Sequence, residues 1–340
     1  MEIAAERTGE FDVLGIGNAI VDVVAYAEDA LLAELGLVKG AMTLVDEERC
    51  EFLYRRMGPA HEVSGGSCAN TMAALASLGG RAAYIGRVKQ DQLGEVFGHD
   101  IRAAGVTFRS PPSPDGPSTA RCLVFVTPDA QRTMATYLGA CVELAPEDIE
   151  PELVRAASIT YLEGYLWDRP EAKAACRKAA DVCHAAGRRL ALTLSDPFCV
   201  DRWREEFREL VAREVDILFA NEAEITSLYE VPDFDAALQE VRRHVHFAVL
   251  TRGAKGSVVV CGEELHVIDA VPPDRLLDTT GAGDLYAAGF LRGFTAGLDL
   301  GACGRLGSLC AAEIIAQYGA RAERPLRPLF ARVNGEAAHS

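Results

Sequence analysis

The sequence of 340 residues predicts a three-layer α/β/α fold, in which a mostly parallel central sheet lies between two layers of helices, with a small β-sheet lid beside it. Short runs rich in Val, Ile and Leu alternate with longer segments of helical period. The short runs are apolar on both faces, which is typical of buried parallel strands. Two stretches interrupt this alternation and predict the lid.

Five apolar runs predict strands of the central sheet. They comprise residues 11–17, 158–163, 189–194, 215–220 and 247–251. Amphipathic segments at 170–186, 200–214 and 234–244 separate the last four runs. Each segment is long enough to return the chain as a right-handed crossover, so the order of elements predicts neighbouring parallel strands.

The lid is predicted from residues 22–45 and 105–141. The second region contains the turn-rich sequence Ser-Pro-Pro-Ser-Pro-Asp-Gly-Pro at 110–117. Two strand-like segments, 121–126 and 133–138, follow it and are joined by the turn residues Pro128 and Asp129, which predicts a hairpin. The remaining residues, 1–21, 46–104 and 142–340, are predicted to form the large α/β domain.

Composition and charge exclude several classes of partner. The chain has 34 basic and 50 acidic residues, for a formal net charge of −16, so we expect no nucleic-acid partner. The first residues are acidic where a signal peptide is basic, and the longest uncharged stretch, 63–80, is rich in Gly, Ser and Asn. We therefore expect no membrane association. Ten cysteines without a CxxC pair predict reduced thiols and a cytoplasmic location.

The segment with the clearest chemistry runs from Asp278 to Asp284, with the sequence Asp-Thr-Thr-Gly-Ala-Gly-Asp. Its glycines allow a tight turn, and the helical pattern that follows to about Phe294 would present unpaired N–H groups to an anion. Asp284 lies at the same helix end, where a carboxylate stays ionised and can act as a general base. The segment thus predicts phosphoryl transfer, with a plain helix cap on a glycine turn as the alternative.

Three further segments support a nucleotide site, although each has an ordinary explanation. Residues 63–70 place the pair Gly65-Gly66 before a small-residue helix, which is also common in turns. Residues 221–224, Asn-Glu-Ala-Glu, follow a predicted strand at the edge where open α/β sheets bind ligands, and they also suit a helix start. Residues 251–256 follow another strand and would equally form a hairpin turn.

Together and in this order, the four segments resemble the ribokinase-like (PfkB) family of carbohydrate and nucleoside kinases. The resemblance extends from Phe11 to about Gly319, and Asp-Thr-Thr-Gly-Ala-Gly-Asp is its most specific motif. Four short segments look most like the bacterial adenosine-kinase-like branch of the family. They are residues 17–22, 42–46, 137–140 and 163–167.

The resemblance implies roles around the transferred phosphate. Asp284 corresponds to the catalytic base, with an anion hole at Gly281, Ala282 and Gly283. Arg132, in the lid hairpin, corresponds to an arginine that reaches the transferring phosphate in several relatives, and a solvated hairpin charge is the alternative.

On the ATP side, the resemblance implies that Asn221 and Glu224 orient Mg²⁺ and the phosphates through water, with no direct protein ligand to the metal. Thr251, Gly253 and Gly256 correspond to the loop that contacts ATP. A requirement for a monovalent cation stays open, as do the residues of the adenine pocket.

On the acceptor side, Asp22, Gly65, Gly66 and Asn70 correspond to residues that hold sugar hydroxyls, a task that suits a carboxylate and an amide. Glu163 lies where sugar-directed relatives place a carboxylate against a hydroxyl and where adenosine kinases have a small apolar residue, which favours a sugar.

Aromatic residues favour a nucleoside as acceptor. Tyr137, Tyr165 and Trp167 could stack on a base, and packing in the lid or core is the alternative.

Other chemistries fit less well. The segment from Gly15 to Ile20 lacks the third glycine of a dinucleotide fingerprint, and no P-loop occurs. Residues 65–69 resemble a nucleophile elbow, but no histidine motif accompanies them.

We therefore predict a kinase that uses ATP and Mg²⁺ to phosphorylate a primary hydroxyl of a nucleoside such as adenosine. A sugar kinase for fructose or ribose is the alternative, and a non-catalytic nucleotide and polyol sensor is the third hypothesis. The predicted partner is a small-molecule substrate, and the protein is expected to be a monomer or a homodimer.

Overall fold

A computed structural model describes residues 9–129 and 131–335. Fourteen strands occur in these residues; in chain order they are β1 (Phe11–Ile16), β2 (Ile20–Tyr26), β3 (Met42–Leu44), β4 (Ala60–Gly65), β5 (Ala82–Ile85), β6 (Thr107–Phe108), β7 (Ala120–Val126), β8 (Arg132–Tyr137), β9 (Ala157–Glu163), β10 (Arg189–Thr193), β11 (Ile217–Asn221), β12 (Phe247–Thr251), β13 (Ser257–Cys261) and β14 (Glu264–Ile268).

The same residues form twelve α-helices. In chain order they are α1 (Asp29–Glu34), α2 (Glu47–Tyr54), α3 (Ser67–Ser77), α4 (Gln92–Ala103), α5 (Pro151–Ala156), α6 (Pro170–Ala185), α7 (Pro197–Arg213), α8 (Glu222–Tyr229), α9 (Phe234–His244), α10 (Ala282–Thr295), α11 (Leu300–Ile315) and α12 (Arg327–Asn334).

The large sheet has nine strands in the order β14-β13-β12-β11-β10-β9-β1-β5-β6. All pairs from β12 to β6 are parallel, and at one edge β13 pairs antiparallel with both β12 and β14. The prediction of a mostly parallel central sheet is therefore confirmed. In this arrangement the carboxyl ends of β1, β9, β10, β11 and β12 lie side by side along one edge of the sheet, because parallel neighbours are in register.

Two layers of helices cover this sheet. On one face, α3, α10 and α11 pack on residues such as Val13, Ala191 and Val249. On the other face, α6, α7, α8 and α9 pack on residues such as Leu14 and Leu192. The apolar side chains of each strand alternate between these two cores, which explains why the strands are apolar on both faces.

The second, smaller sheet has five strands in the order β3-β8-β7-β2-β4. The predicted hairpin is present as the antiparallel pair β7 and β8. One face of the sheet buries Val21, Val23 and Phe125 in the main core. The opposite face carries Val24, Val124 and other apolar side chains above the cleft at the edge of the large sheet.

The strand pairing differs from the predicted domain division at three points. Strand β2 begins at Ile20 rather than 22, and β4, which the sequence assigns to the large domain, pairs with β2 in the small sheet. Strand β6, which the sequence assigns to the lid, pairs with β5 in the large sheet. The sequence of β4, Ala-His-Glu-Val-Ser-Gly, has a weak strand pattern, and this segment becomes a strand through its tertiary pairing with β2. Strand β6 has only two residues, which is too short for a pattern in the sequence.

Within the described residues, 9–129 and 131–335, no helix has both the length and the apolar composition needed to cross a bilayer.

Candidate active site

Asp284 lies in the first turn of α10, and α3 holds both of its carboxylate oxygens. The hydroxyl of Ser67 donates to Oδ1 at 2.6 Å, and Nδ2 of Asn70 donates to Oδ2 at 3.2 Å. Ser67 and Asp284 are 217 residues apart in sequence, so two distant helices meet at this carboxylate. Ser67 was not among the predicted site residues, because a serine at a helix start has an ordinary role as a cap.

Burial raises the pKa of Asp284 to about 6, and the hydrogen bonds from Ser67 and Asn70 and the charge of Arg321 oppose this rise. The sequence predicted an ionised carboxylate on the strength of the helix dipole alone. With a pKa of about 6 the group is still mostly ionised at neutral pH, and it lies close to the pH at which a general base works best.

The turn before α10 forms a cradle for an anion. Gly281 has a φ of 78°, and a Cβ atom at this position would lie 2.7 Å from the Cβ atom of Ala320. Gly283 has open space where a side chain would be. Gly281, Ala282, Gly283 and Asp284 line a cavity of about 290 Å³, into which the first turn of the helix can present N–H groups.

Asn221 and Glu224 line the same cavity from the end of β11. They also cap α8 reciprocally, since the Asn221 side chain accepts from the Glu224 amide at 2.9 Å and Glu224 accepts from the Asn221 amide at 2.9 Å. The ordinary interpretation, a helix start, is therefore correct in its hydrogen bonds, and it coexists with a place in the cavity. Burial raises the pKa of Glu224 to about 7.

The amide and carboxylate oxygens of Asn221 and Glu224 are donors that suit a partly hydrated Mg²⁺, and a cation nearby would favour the ionised form of the buried Glu224. The residues present thus fit the metal that the family resemblance implies. Among residues 9–129 and 131–335, no group of three or more His, Cys, Asp or Glu side chains is arranged to hold a metal ion directly.

A second cavity, of about 600 Å³, adjoins the first. Thr251, Gly253 and Gly256 line it from the turn between β12 and β13, and Gly253 and Gly256 have φ values of 56° and 85°. Its other walls are mostly apolar. They include Ala270, Val271, Pro272, Pro273, Leu276, Ala311, Ala312 and Ile315. No local pattern predicts this apolar cavity, because its walls come from four separate segments.

Asp22 projects from β2 on the acceptor side. A Cβ atom on Gly65 would lie 2.5 Å from Oδ2 of Asp22, and one on Gly66, whose φ is 94°, would lie 2.2 Å from the Asn18 carbonyl oxygen. The glycine pair is needed because the backbone passes this close to Asp22 and Asn18. Burial raises the pKa of Asp22 to about 6, and the nearby charges of Arg321 and Arg132 oppose the rise.

The structure gives Glu163 a different role from the predicted contact with a sugar hydroxyl. Its side chain is 1% exposed. Oε1 accepts from the Asn18 amide at 2.8 Å, and Oε2 accepts from the Cys68 amide at 2.9 Å. Both oxygens therefore hold main-chain segments of the acceptor side in place, and burial raises the pKa of Glu163 to about 7.

Arg132 is not a solvated hairpin charge in this structure, and its contact with the transferring phosphate stays a prediction. Its side chain is 12% exposed, and Nε lies 2.9 Å from Oδ2 of Asp278, the first residue of the glycine motif. Asp278 also accepts from the Thr280 amide and hydroxyl and from the Gly319 amide. The lid arginine is thus paired with the motif loop, because the fold brings the end of β8 against it.

The three candidate stacking residues lie in different environments. Trp167 is 1% exposed and packs on Phe207 in the core, with its indole N–H donating to Glu206. Tyr165 lines the cavity beside Asp284. Tyr137 packs against the main core and lines a separate groove with Val142 and Asp168. The packing alternative is therefore correct for Trp167.

A third cavity, of about 320 Å³, opens beneath the small sheet on the acceptor side. Val24, Tyr26, His61 and Tyr318 are among its lining residues, and Arg132 reaches it too. Val24 and Tyr26 follow Asp22 on the same face of β2, since side chains two apart in a strand share a face. The cavity therefore continues the acceptor side away from Asp284.

Comparison with known proteins places the chain in a family. The model described as pfkB family carbohydrate kinase matches residues 53–327. The chain belongs to this family. The glycine motif, the acceptor glycines and the capping pair of this pfkB-family protein all lie within the matched residues, whereas Asp22 lies before them.

Two solved structures resemble this pfkB-family protein over nearly its whole length. The adenosine kinase of Sinorhizobium meliloti is 54% identical, with a TM-score of 0.87 over 94% of this chain and 98% of that chain. A probable sugar kinase of Rhizobium etli CFN 42 is 49% identical, with a TM-score of 0.89 over 97% of this chain and 100% of that chain. The adenosine kinase of Saccharomyces cerevisiae is 26% identical over 330 residues, 89% of this chain and 94% of that protein.

Family membership makes the protein a phosphotransferase that acts on an alcohol group. Ten of the fifteen predicted site residues line the three cavities. Asn70 is bonded to Asp284, and Gly65 lies against Asp22. Gly66 and Glu163 both contact the main chain of Asn18. Thr193, Ser195 and Phe219 also line the central cavity and were not predicted.

Proposed function

We propose that this pfkB-family kinase uses ATP to phosphorylate the primary hydroxyl of a nucleoside, with adenosine as the expected acceptor. One observation carries the proposal. Asp284 lies at the N-terminus of α10, next to a cavity that continues into the apolar pocket, and its side chain is bonded to the acceptor-side helix α3. This is the position that a base between a phosphate donor and a hydroxyl acceptor requires.

In the proposed reaction the acceptor hydroxyl donates its proton to the Asp284 carboxylate as its oxygen attacks the γ-phosphorus of ATP. The bond between the γ-phosphorus and the bridging oxygen breaks, and ADP leaves with that electron pair. N–H groups at the start of α10, around Ala282 and Gly283, stabilise the charge on the transferred phosphoryl group. Asp22 and Asn70 orient the sugar hydroxyls of the acceptor.

The donor side is proposed to hold ATP with its adenine between the apolar walls of the second cavity and its phosphates toward Gly283. Asn221 and Glu224 would hold Mg²⁺ through water. When it is bound, the metal would neutralise part of the phosphate charge. Thr251, Gly253 and Gly256 would contact the nucleotide through the close approach that glycines allow.

The choice of a nucleoside over a free sugar rests on the acceptor cavity. Its walls include Val24, Tyr26 and Tyr318, and aromatic and aliphatic side chains suit the face of a base better than a polyol. The main argument for a sugar was a carboxylate at Glu163, and both oxygens of that carboxylate are bonded to main-chain amides. The relatives that are named adenosine kinases support the same choice.

A cytoplasmic location remains part of the proposal. The ten cysteines are all free and buried, which suits a reducing compartment.

An ADP-release assay across adenosine, inosine, guanosine, ribose and fructose tests the proposed function. We expect turnover with Mg²⁺ and a higher kcat/KM for adenosine than for either sugar. Higher kcat/KM for ribose or fructose would establish the sugar-kinase alternative. Binding of ATP and acceptor by calorimetry without any ADP release would instead support the sensor hypothesis and overturn the proposal.

A further inference from the structure

Arg321 connects the two halves of the active site, although no motif singles it out. It follows α11, and its guanidinium is bonded to the acceptor-side segment from 64 to 69. Nε donates to the Ser64 carbonyl at 2.9 Å, one terminal nitrogen donates to the Ala69 carbonyl at 3.0 Å, and the other donates to the Ser64 hydroxyl at 2.8 Å. Ser64 directly precedes the glycine pair that packs on Asp22.

The segment that carries Arg321 is itself attached to the loop of the catalytic base. The Gly319 amide donates to Asp278 at 2.9 Å, and Ala320 fills the space beside Gly281. The Gln317 side chain donates to the Arg321 carbonyl and accepts from the Glu323 amide, which closes the segment on itself. Residues 317–323 thus contact the phosphate-side loop through their backbone and the acceptor side through one guanidinium.

Arg321 also lies in a group of acidic side chains. Asp100 of α4 accepts from the amide and the hydroxyl of Ser64, opposite the guanidinium. The positive charge of Arg321 lowers the pKa values of Asp22 and Asp284, which burial raises to about 6. Burial lowers the pKa of Arg321, and the charges of Asp100, Asp22 and Asp284 oppose that decrease.

We propose that Arg321 is a positioning residue for phosphoryl transfer, which fixes the acceptor glycine loop relative to the loop of Asp284 and compensates the charge of the two active-site carboxylates. The kinetic part of this inference rests on the proposed function. In this view the guanidinium acts on the reaction through Ser64 and through Asp22 and Asp284.

The charged groups that face Asp284 come from several elements, and Arg321 is the one that lowers its pKa by charge. Asp284 in turn raises the pKa values of three neighbouring carboxyl groups by repulsion. They are Asp22 of β2, Glu163 of β9 and Glu224 of α8. Asp22 has one further cationic neighbour, Arg132 of β8. Loss of Arg321 therefore leaves Asp284 with repulsive neighbours, and its pKa should rise.

The test compares Arg321→Gln and Arg321→Lys with Arg324→Gln, an exposed arginine three residues further along the chain, as the matched control. For Arg321→Gln we expect the acidic limb of the kcat/KM profile for adenosine to move up by about one pH unit, since an opposite charge of this kind shifts a carboxyl pKa by about 1 to 3 units. At pH 6 this would lower kcat/KM by about fivefold, with recovery as the pH rises. The KM for ATP should stay within about twofold of wild type, because Arg321 does not line the ATP cavity.

Arg321→Lys keeps the charge and loses the forked hydrogen bonds, so we expect an acidic limb near that of wild type and a raised KM for adenosine. If Arg321→Gln does not fold, as judged by circular dichroism, the lysine variant carries the test. Wild-type kinetics in either variant would overturn the inference. A loss in Arg321→Gln that is equal at every pH, with an equal rise in the KM for ATP, would also overturn it.

A readout without turnover separates this inference from the proposed function. Nuclear magnetic resonance of protein labelled with ¹³C at aspartate carboxyl carbons follows the titration of Asp284, assigned with the Asp284→Asn variant. We expect Arg321→Gln to raise this pKa by about one unit. A wild-type enzyme that phosphorylates none of the acceptors would refute the proposed function alone. An unchanged Asp284 titration in Arg321→Gln would refute the inference about Arg321.

Discussion

Replacing Asp284 by Asn removes the proposed general base while keeping the shape of the side chain. The amide oxygen of the introduced asparagine can still accept from Ser67, but its NH₂ group would face the NH₂ group of Asn70, which donates to Oδ2 in the wild type. General-base catalysis contributes about 10² to 10⁴ in rate, so we expect kcat to fall by that factor. ATP binding should be nearly unchanged, because the second cavity does not include this residue.

The wild-type pH profile provides an independent measure of the same group. With a pKa of about 6 in the free protein, Asp284 is about 90% ionised at pH 7 and about 10% ionised at pH 5, so its titration alone should lower kcat/KM for the acceptor by about tenfold between these values. In the Asn variant this limb should be absent from the residual activity. Asp22 titrates in the same range, so the limb in kcat/KM for the acceptor should be steeper than the limb in kcat.

The same substitution should stabilise the fold. A carboxyl group whose pKa rises from 3.8 in the unfolded chain to about 6 in the folded protein contributes stability below pH 3.8, and this contribution is lost as the pH rises through 6. At pH 7 the charged form therefore costs the folded state about 1 to 3 kcal/mol, where the lower values allow for partial exposure to solvent. Asp284→Asn removes this cost.

Initial-rate kinetics from pH 5 to 9 and urea unfolding at pH 5 and pH 7 measure these effects. Asp233→Asn is the matched control, because Asp233 caps α9 by accepting from the Ala236 amide and asparagine caps equally well. A kcat for Asp284→Asn within tenfold of wild type would refute the role of the base. A variant that is less stable than wild type at pH 7 would refute the account of its burial.

Three further substitutions test other parts of the site. Gly281→Ala should lower the free energy of unfolding by about 1 to 2 kcal/mol, because Gly281 has a φ of 78°. Gly283→Ala adds a methyl group in open space, so it should leave stability unchanged and raise the KM for ATP. Equal stability losses in the two variants, measured by urea unfolding, would contradict this. Glu163→Ala should lower the free energy of unfolding by about 2 to 4 kcal/mol and raise the acceptor KM, because two buried amides lose their acceptor; unchanged stability would show that these bonds contribute little. Ser195→Gly should raise the free energy of unfolding by about 0.5 to 1 kcal/mol, because Ser195 has a φ of 74°. A lower free energy of unfolding than wild type would show that the residue is not strained.

The sequence predicted the residues whose role is local. The glycine turn before α10, the helix start at Asn221 and the turn after Thr251 each lie within a few residues, and the strand that precedes each of the last two follows from a run of apolar side chains. Parallel strands then bring their carboxyl ends to one edge, so the grouping of these segments followed from the fold class.

The roles that the sequence did not predict belong to residues whose bonded partners are far away in sequence. In the sequence, Ser67 has the pattern of a helix cap, and only the packing of α10 beside α3 shows that it donates to Asp284. Glu163 has the pattern of a substrate ligand, and only the structure shows that its oxygens accept from the amides of Asn18 and Cys68. Arg132 could be assigned to solvent or to phosphate, and only the packed structure pairs it with Asp278. None of these contacts has a signature in local pattern, because each depends on side-chain geometry between separate elements.

The order and type of the residues determined the layered fold and the family and led to the proposed base, since short-range periodicity and backbone freedom are properties of adjacent residues. The packed chain decided which carboxylates face the cavity, how strongly burial shifts their pKa values, and which apolar walls surround each substrate. Arg321 and Ser64 illustrate the division, because 257 residues separate them and their hydrogen bonds exist only once both sides of the cleft have folded together.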